Sequence, residues 1–243
     1  MILKNAPLLH QIRARVDKTL INGIQLNMST EESKKMLRRH LNTKTNLVTM
    51  IVDINDSTNM SLYLSQNRFA LIVQTFAQEV SIVVSGYGGY VFKYEGDAVI
   101  SLFPAEYNRV KACENALSCS KAILEIIREV INPAFRANGL PEITVRIGLA
   151  YGDALVVLYG RNAEKAHTDT IGPSINMATK IASIANPNQV LVGELIYDIF
   201  LSLSSTKDLK GFNEVNLDPN KWNYPSNINS GSIYRVYEYL ENL

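Results

Sequence analysis

Hydrophobic and polar positions alternate along the chain in a sequence of distinct periods. LVTMIV, residues 47–52, is an apolar run rich in β-branched residues and closed by Asp53, as expected of a strand covered on both faces. From Ser61 to Ser85 the apolar residues Leu62, Phe69, Ile72, Val73, Phe76, Val80 and Val84 recur at helical intervals, which predicts one long amphipathic helix. Gly86, Gly88 and Gly89 stop it, and YVFKY and AVISLF read as two strands of a tight hairpin around Glu95-Gly96-Asp97. Residues 111–131 repeat Ala, Cys, Ile and Val at helical spacing, and Asn132-Pro133 ends or kinks that helix. ITVRIGLAYG, residues 143–152, alternates as a strand, and ALVVLYG is expected to return beside it as a second hairpin. Residues 171–185 begin irregularly at Gly172-Pro173 and become helical. QVLVG is a short strand, Ile196–Leu203 an apolar turn of helix, and 206–211 and 216–232 are polar stretches. SIYRVYEYL closes the series as a strand with alternating aromatics.

The first 45 residues differ. Leu9, Ile12, Val16 and Leu20 give a helix one apolar face before Asn22-Gly23 breaks it. Ser29 and Glu32 have the spacing of a capping box ahead of a short basic helix. Residues 1–45 are therefore expected to be a helical appendage, and 46–243 the main domain. Its order of strand, helix, strand, strand, helix, strand, then a further strand-helix-strand portion, predicts an α+β fold: a duplicated, ferredoxin-like split βαβ, with one sheet and helices on one face. Such a fold serves ligand-binding and interaction domains as well as enzymes, and does not choose between them.

Composition narrows the field. With 47% hydrophobic and 19% charged residues, the 243-residue chain reads as globular rather than disordered. A formal net charge of +1 advertises no nucleic acid or anionic membrane as partner. No uninterrupted apolar run is long enough for a membrane span, and the first residues lack the pattern of a secretory leader, so a cytoplasmic location without membrane insertion is expected. Cys113 and Cys119 form neither a disulfide framework nor a zinc spacing and read as buried helix residues.

The candidate chemistry lies in Asp53 and Asp97, each placed where an apolar strand gives way to a turn. If the strands are neighbours, the two carboxylates converge on one edge, where they repel unless cations lie between them. Hard divalent ions want such oxygen ligands, and substrate phosphates complete their shells. Read singly, Asp53 is a helix cap and Asp97 a hairpin residue; read together, they form a metal site.

Four motifs in order resemble the catalytic domain of class III nucleotide cyclases, the domain of most adenylate and guanylate cyclases. They are VDINDST with Asp53, Ile54, Ser57 and Thr58; GGYVFKYEGDAVISLF with Lys93, Gly96 and Asp97; VRIGLAYG; and DTIGPSINMATKIA with Asp169, Gly172, Asn176 and Lys180. They cover residues 47 to about 193, with a weaker match of LKG at Lys210. The resemblance implies a lyase that converts ATP to 3′,5′-cyclic AMP and pyrophosphate for signal transduction, with two Mg²⁺ or Mn²⁺ ions per site. It also implies a head-to-tail homodimer whose sites are composed across subunits. Asp53, Asp97 and the Ile54 carbonyl would hold metal, and Lys93 and Asp169 would face the base. Asn176 would orient the ribose, Lys180 would neutralise the reacting phosphate, and Lys210 would meet the terminal phosphates. Cyclases for cytidylate, uridylate or guanylate, and an inactive nucleotide-binding dimerisation domain, are the alternatives.

The chain departs from the family pattern at Lys180, where arginine is usual and a lysine offers no planar fork of donors, and at Asp56, which replaces a glycine. The remaining features read blandly. The glycines at 86–89 lack a following GK[ST] and form a turn. His167 is a loop residue that lies within reach of the ligand, Tyr234, Tyr237 and Tyr239 pack, and Lys34, Lys35, Arg38 and Arg39 make the solvated face of a helix.

Overall fold

The computed structural model describes residues 6–24, 28–161, 166–205, 209–226, 228 and 230–240. Helices α1 (Ala6–Asn22) and α2 (Glu31–Arg38) precede strand β1 (Lys44–Ile54). Then come α3 (Ser57–Tyr63), α4 (Gln66–Gly86), β2 (Tyr90–Glu95), β3 (Ala98–Pro104), α5 (Arg109–Ile126), a π-helical turn at Ile127–Ile131, α6 (Asn132–Ala137) and β4 (Val145–Tyr159). The remaining elements are β5 (His167–Ile171), α7 (Pro173–Ile184), β6 (Gln189–Gly193), α8 (Glu194–Leu201), β7 (Phe212–Glu214) and β8 (Val236–Tyr239). Of the polar 206–211 stretch, residues 206–208 lie outside the described residues.

The sheet runs β2-β3-β1-β4-β6-β8-β7, with β5 paired to β4. β1 is antiparallel to both β3 and β4, so β1-α4-β2 and β3-α5-β4 are two split βαβ units, as the element order predicts. Helices cover both faces, which corrects the expectation of one. Val48, Met50, Val52 and Ile54 of β1 pack into a core with α1, α4 and α5, whereas Leu47 and Ile51 enter a second core with α2, α7, Trp222 and Tyr234. The reason lies in β1 itself, whose apolar run leaves no polar face to present to water. α4 is long and apolar enough to cross a membrane, yet Ile72, Phe76, Val80 and Val84 are buried in the first core.

Three further expectations are corrected. The helix over 61–85 breaks at Leu64 and Ser65, both extended, giving α3 and α4. The capping box does not form: Thr30 is the N-cap of α2, Ser29 Oγ accepts from Glu31 N at 3.1 Å, and Glu32 pairs with Lys35. The hairpin after Gly152 is a single 15-residue strand, β4. Its distal half finds other partners, because Asn42 N donates to Val156 O at 2.9 Å and β5 pairs from Leu155 to Tyr159. Gly148 of β4 serves close approach: a Cβ there would lie 2.4 Å from Ala182 N and 2.6 Å from Ala178 O of α7.

α1 is tied to α4 by polar contacts. Arg15 Nη2 lies 2.6 Å from Oε2 of the buried Glu79, and Gln78 Nε2 donates to Thr19 Oγ1 at 2.9 Å. Between β7 and β8 the chain makes a long excursion anchored by Trp222, whose indole donates to Tyr234 O at 2.7 Å. Its neck is fastened by Glu194, fully buried at the start of α8, which accepts from Ser226 Oγ at 2.8 Å and Arg235 N at 3.1 Å.

Candidate active site

The register of β1 builds the carboxylate group. Asp53 lies opposite Ala98 on one side and Arg146 on the other, so the hairpin residue Asp97 and the Arg146 guanidinium converge on it. Arg146 Nη2 donates to Asp53 Oδ2. Burial first, and then the neighbouring Asp97 charge, push the Asp53 carboxyl above its ordinary value against the pull of Arg146. Among the described residues, the buried Asp97 Oδ2 and Arg146 Nε make no hydrogen bond, an acceptor and a donor without partners beside Asp53. Such orphans cost free energy unless a ligand satisfies them. An oxygen-only pair of carboxylates with an unsatisfied oxygen fits a hard divalent cation and leaves positions for phosphate oxygens. Ile54 ends β1 with its side chain buried, so only its backbone is available to such an ion. Arg146 is the site residue that the sequence motifs left without a role; the signal was its place in VRIG, opposite Asp53 once the strands are paired.

Asp56, in the position of a family glycine, has φ 60 and ψ 24, a left-handed conformation that favours glycine. Its carboxylate accepts from Asn59 Nδ2 at 2.6 Å and so turns toward α3.

A second group forms around Lys93 and Asp169. Lys93 Nζ lies 2.7 Å from both carboxylate oxygens of Asp169, and Thr170 N donates to Oδ1 at 2.7 Å. His167 Nε2 stands 3.6 Å from Asp169 Oδ2, so the histidine borders the pair. Lys93 and Asp97 share one hairpin, while Asp169 comes from β5, a strand the hydrophobic pattern did not announce. Asn176 and Lys180 are exposed, four residues apart on one face of α7. Lys210 is not brought to the others: it lines a cleft with Lys111, Glu114 and Phe200, beside α5 on the opposite side of the sheet from α7.

A family described as the adenylate and guanylate cyclase catalytic domain matches residues 40–221. The chain is 30% identical over 132 residues to adenylate cyclase 1 of Rhizobium meliloti, covering 54% of this chain and 20% of that protein. It is 25% identical over 155 residues to a cytidylate cyclase of Escherichia coli, covering 61% and 34%. A uridylate cyclase of Rhodovulum is 25% identical over 144 residues, covering 56% and 57%. The chain thus spans about a third or less of the length of the first two of these relatives. In fold it is similar to the adenylyl cyclase CyaB from P. aeruginosa, with a TM-score of 0.66 at 20% identity over 83% of this chain and 96% of that one. The guanylyl cyclase Cya2 gives a TM-score of 0.65 at 16% identity over 82% and 93%. The motifs, the split βαβ sheet and a match across most of the chain agree: it belongs to the adenylate and guanylate cyclase catalytic domain family, the class III nucleotide cyclases.

Proposed function

We propose that the chain is an adenylate cyclase, forming 3′,5′-cyclic AMP and pyrophosphate from ATP in sites composed across a head-to-tail homodimer. The observation that carries this reading is the pair of Lys93 and Asp169. An ammonium donor beside a carboxylate acceptor matches adenine, whose N1 accepts and whose 6-amino group donates. Guanine and uracil present the reverse order, and a buried mismatch of that kind is how polar pockets discriminate.

The ribose 3′-oxygen attacks the α-phosphorus as its proton departs, the bond to the bridging oxygen breaks, and pyrophosphate leaves. Asp53, Asp97 and the Ile54 carbonyl would hold two Mg²⁺ or Mn²⁺ ions. When bound, these supply charge neutralisation and acidify the attacking hydroxyl. Arg146, already against Asp53, holds that carboxylate in place and brings positive charge to the side of the site where the triphosphate would lie. From the other subunit, Asn176 orients the ribose and Lys180 neutralises the reacting phosphate, while Lys210, across the sheet from them, stands apart from this site.

Cytosine favours a second reading, because its N3 and 4-amino group repeat the adenine pattern and cytidylate cyclases are among the relatives. The smaller ring leaves its edge farther from the pair. Incubating the purified protein with ATP, GTP, CTP and UTP plus Mn²⁺, with products resolved by mass spectrometry, tests both. Cyclic AMP is the expected main product. A kcat/KM for CTP above that for ATP overturns the adenylate assignment, and no cyclic product from folded dimer overturns the enzyme.

A further inference from the structure

Lys93 and Asp169 come from strands that are not neighbours in the sheet. β2 is an edge strand two places from β1, and among the described strands β5 pairs with the distal half of β4 alone. Sheet pairing alone therefore does not fix the distance between them. α2 is packed against both strands. Its buried Met36 and Leu37 enter the same core as Phe92 of β2 and Val156 of β4, the residue opposite Thr170 of β5. Arg38, expected to be solvated, is instead half-buried, and its Nε reaches Thr168 Oγ1 at 3.4 Å, one residue before Asp169. Thr168 is itself buried. The chain leaving α2 then joins β4 directly, through the bridge of Leu41 to Val156 and the bond from Asn42 N to Val156 O.

We infer that α2 is a positioning element for base selection: its apolar side sets the gap between β2 and β5, and Arg38 holds β5 at the height where Asp169 meets Lys93. The inference rests on the reading that Lys93 and Asp169 face the base. Arg38 is not among the residues read as facing the base, ribose, phosphates or metal, so its expected effect runs through the geometry of that pair. An acceptor displaced by even a fraction of an ångström weakens hydrogen bonds to the amino group while leaving the triphosphate contacts in place.

The experiment compares kcat and KM for all four nucleotides in the parent, Arg38→Ala, Arg38→Lys, Lys93→Ala and the Arg38→Ala/Lys93→Ala double variant. Thermal melting of each controls for folding. For Arg38→Ala the expected result is a rise of about 5- to 10-fold in KM for ATP. The ATP-to-GTP ratio of kcat/KM should fall to a similar degree, with kcat and the Mn²⁺ activation curve little changed and partial recovery in Arg38→Lys. Once Lys93 is gone, Arg38→Ala should add nothing further to selectivity. A uniform loss on all four nucleotides, an unchanged ratio, or fully additive losses in the double variant would overturn the positioning role. If Lys93→Ala itself leaves the ratio intact while Arg38→Ala changes it, the base-reading assignment fails and the positioning role fails with it. If Lys93→Ala collapses the ratio and Arg38→Ala does not, only the role of α2 is lost.

Discussion

At the residue scale, the buried Asp97 Oδ2, which accepts no hydrogen bond among the described residues, and the Asp53 carboxyl raised by burial are the groups on which the proposed metal site rests. Asp53→Ala or Asp97→Ala should lower cyclisation by about 10²- to 10³-fold or more, the loss typical of a major electrostatic contributor. The variants should elute as folded dimers in size-exclusion chromatography, and near-parental turnover in either would remove that residue from the metal site. Asp56 poses a different question, because its left-handed backbone makes glycine the undemanding choice. Asp56→Gly is expected to shift stability by less than about 1 kcal/mol. Asp56→Val should cost about 1–3 kcal/mol, read from urea unfolding midpoints. Of these residues, the aspartates were legible because strand ends in a chain with few acidic strand positions stand out. Arg146 was not legible, since its role appears only when β1 and β4 are paired and the guanidinium meets Asp53.

At the element scale, β4 and α7 act as one unit. The absence of a side chain at Gly148 lets the α7 backbone lie directly on the strand, and α7 carries Asn176 and Lys180. Gly148→Ala should therefore destabilise by about 1–3 kcal/mol, as overpacking of a filled contact does. It should also lower kcat by displacing α7, whereas Gly86→Ala, at the exposed end of α4 with open space around it, should leave kcat unchanged; equal turnover in both variants would contradict the coupling. Sequence periodicity found β1, β2, β3, α5, α7 and β6 because each has a clear apolar face. It misread Gly152-Asp153 as a turn because a glycine followed by an aspartate carries turn chemistry in one dimension, whereas pairing of Gly152 with Leu47 of β1 carries the strand straight through. It passed over β5 because HTDTI is polar, although Thr168 and Thr170 are buried by tertiary packing. Likewise nothing in the basic run at 34–39 distinguishes Arg38, which reaches Thr168, from Lys35, which pairs only along its own helix among the bonds observed.

At the scale of the whole molecule, one chain holds the carboxylate group at one end of β1 and Asn176 and Lys180, the proposed ribose and phosphate residues, on the exposed face of α7. If sites are composed across two subunits, mixing inactive Asp53→Ala with inactive Asn176→Ala should restore activity through heterodimers that carry one intact site. A mixture that stays inactive after subunit exchange has been demonstrated would place each site within a single chain. The excursion between β7 and β8 bears on such experiments in a practical way. Its base is closed by the backbone bonds Val215 N to Val236 O and Tyr234 N to Tyr224 O and by the buried carboxylate of Glu194, which grips Ser226 and Arg235, while Ser230 and Gly231 at the far end are exposed. A loop tethered at its base transmits little strain from its tip. An epitope inserted between Ser230 and Gly231 would thus give each subunit a distinguishable handle, allowing homodimers and heterodimers to be separated on affinity resin before their turnover is measured.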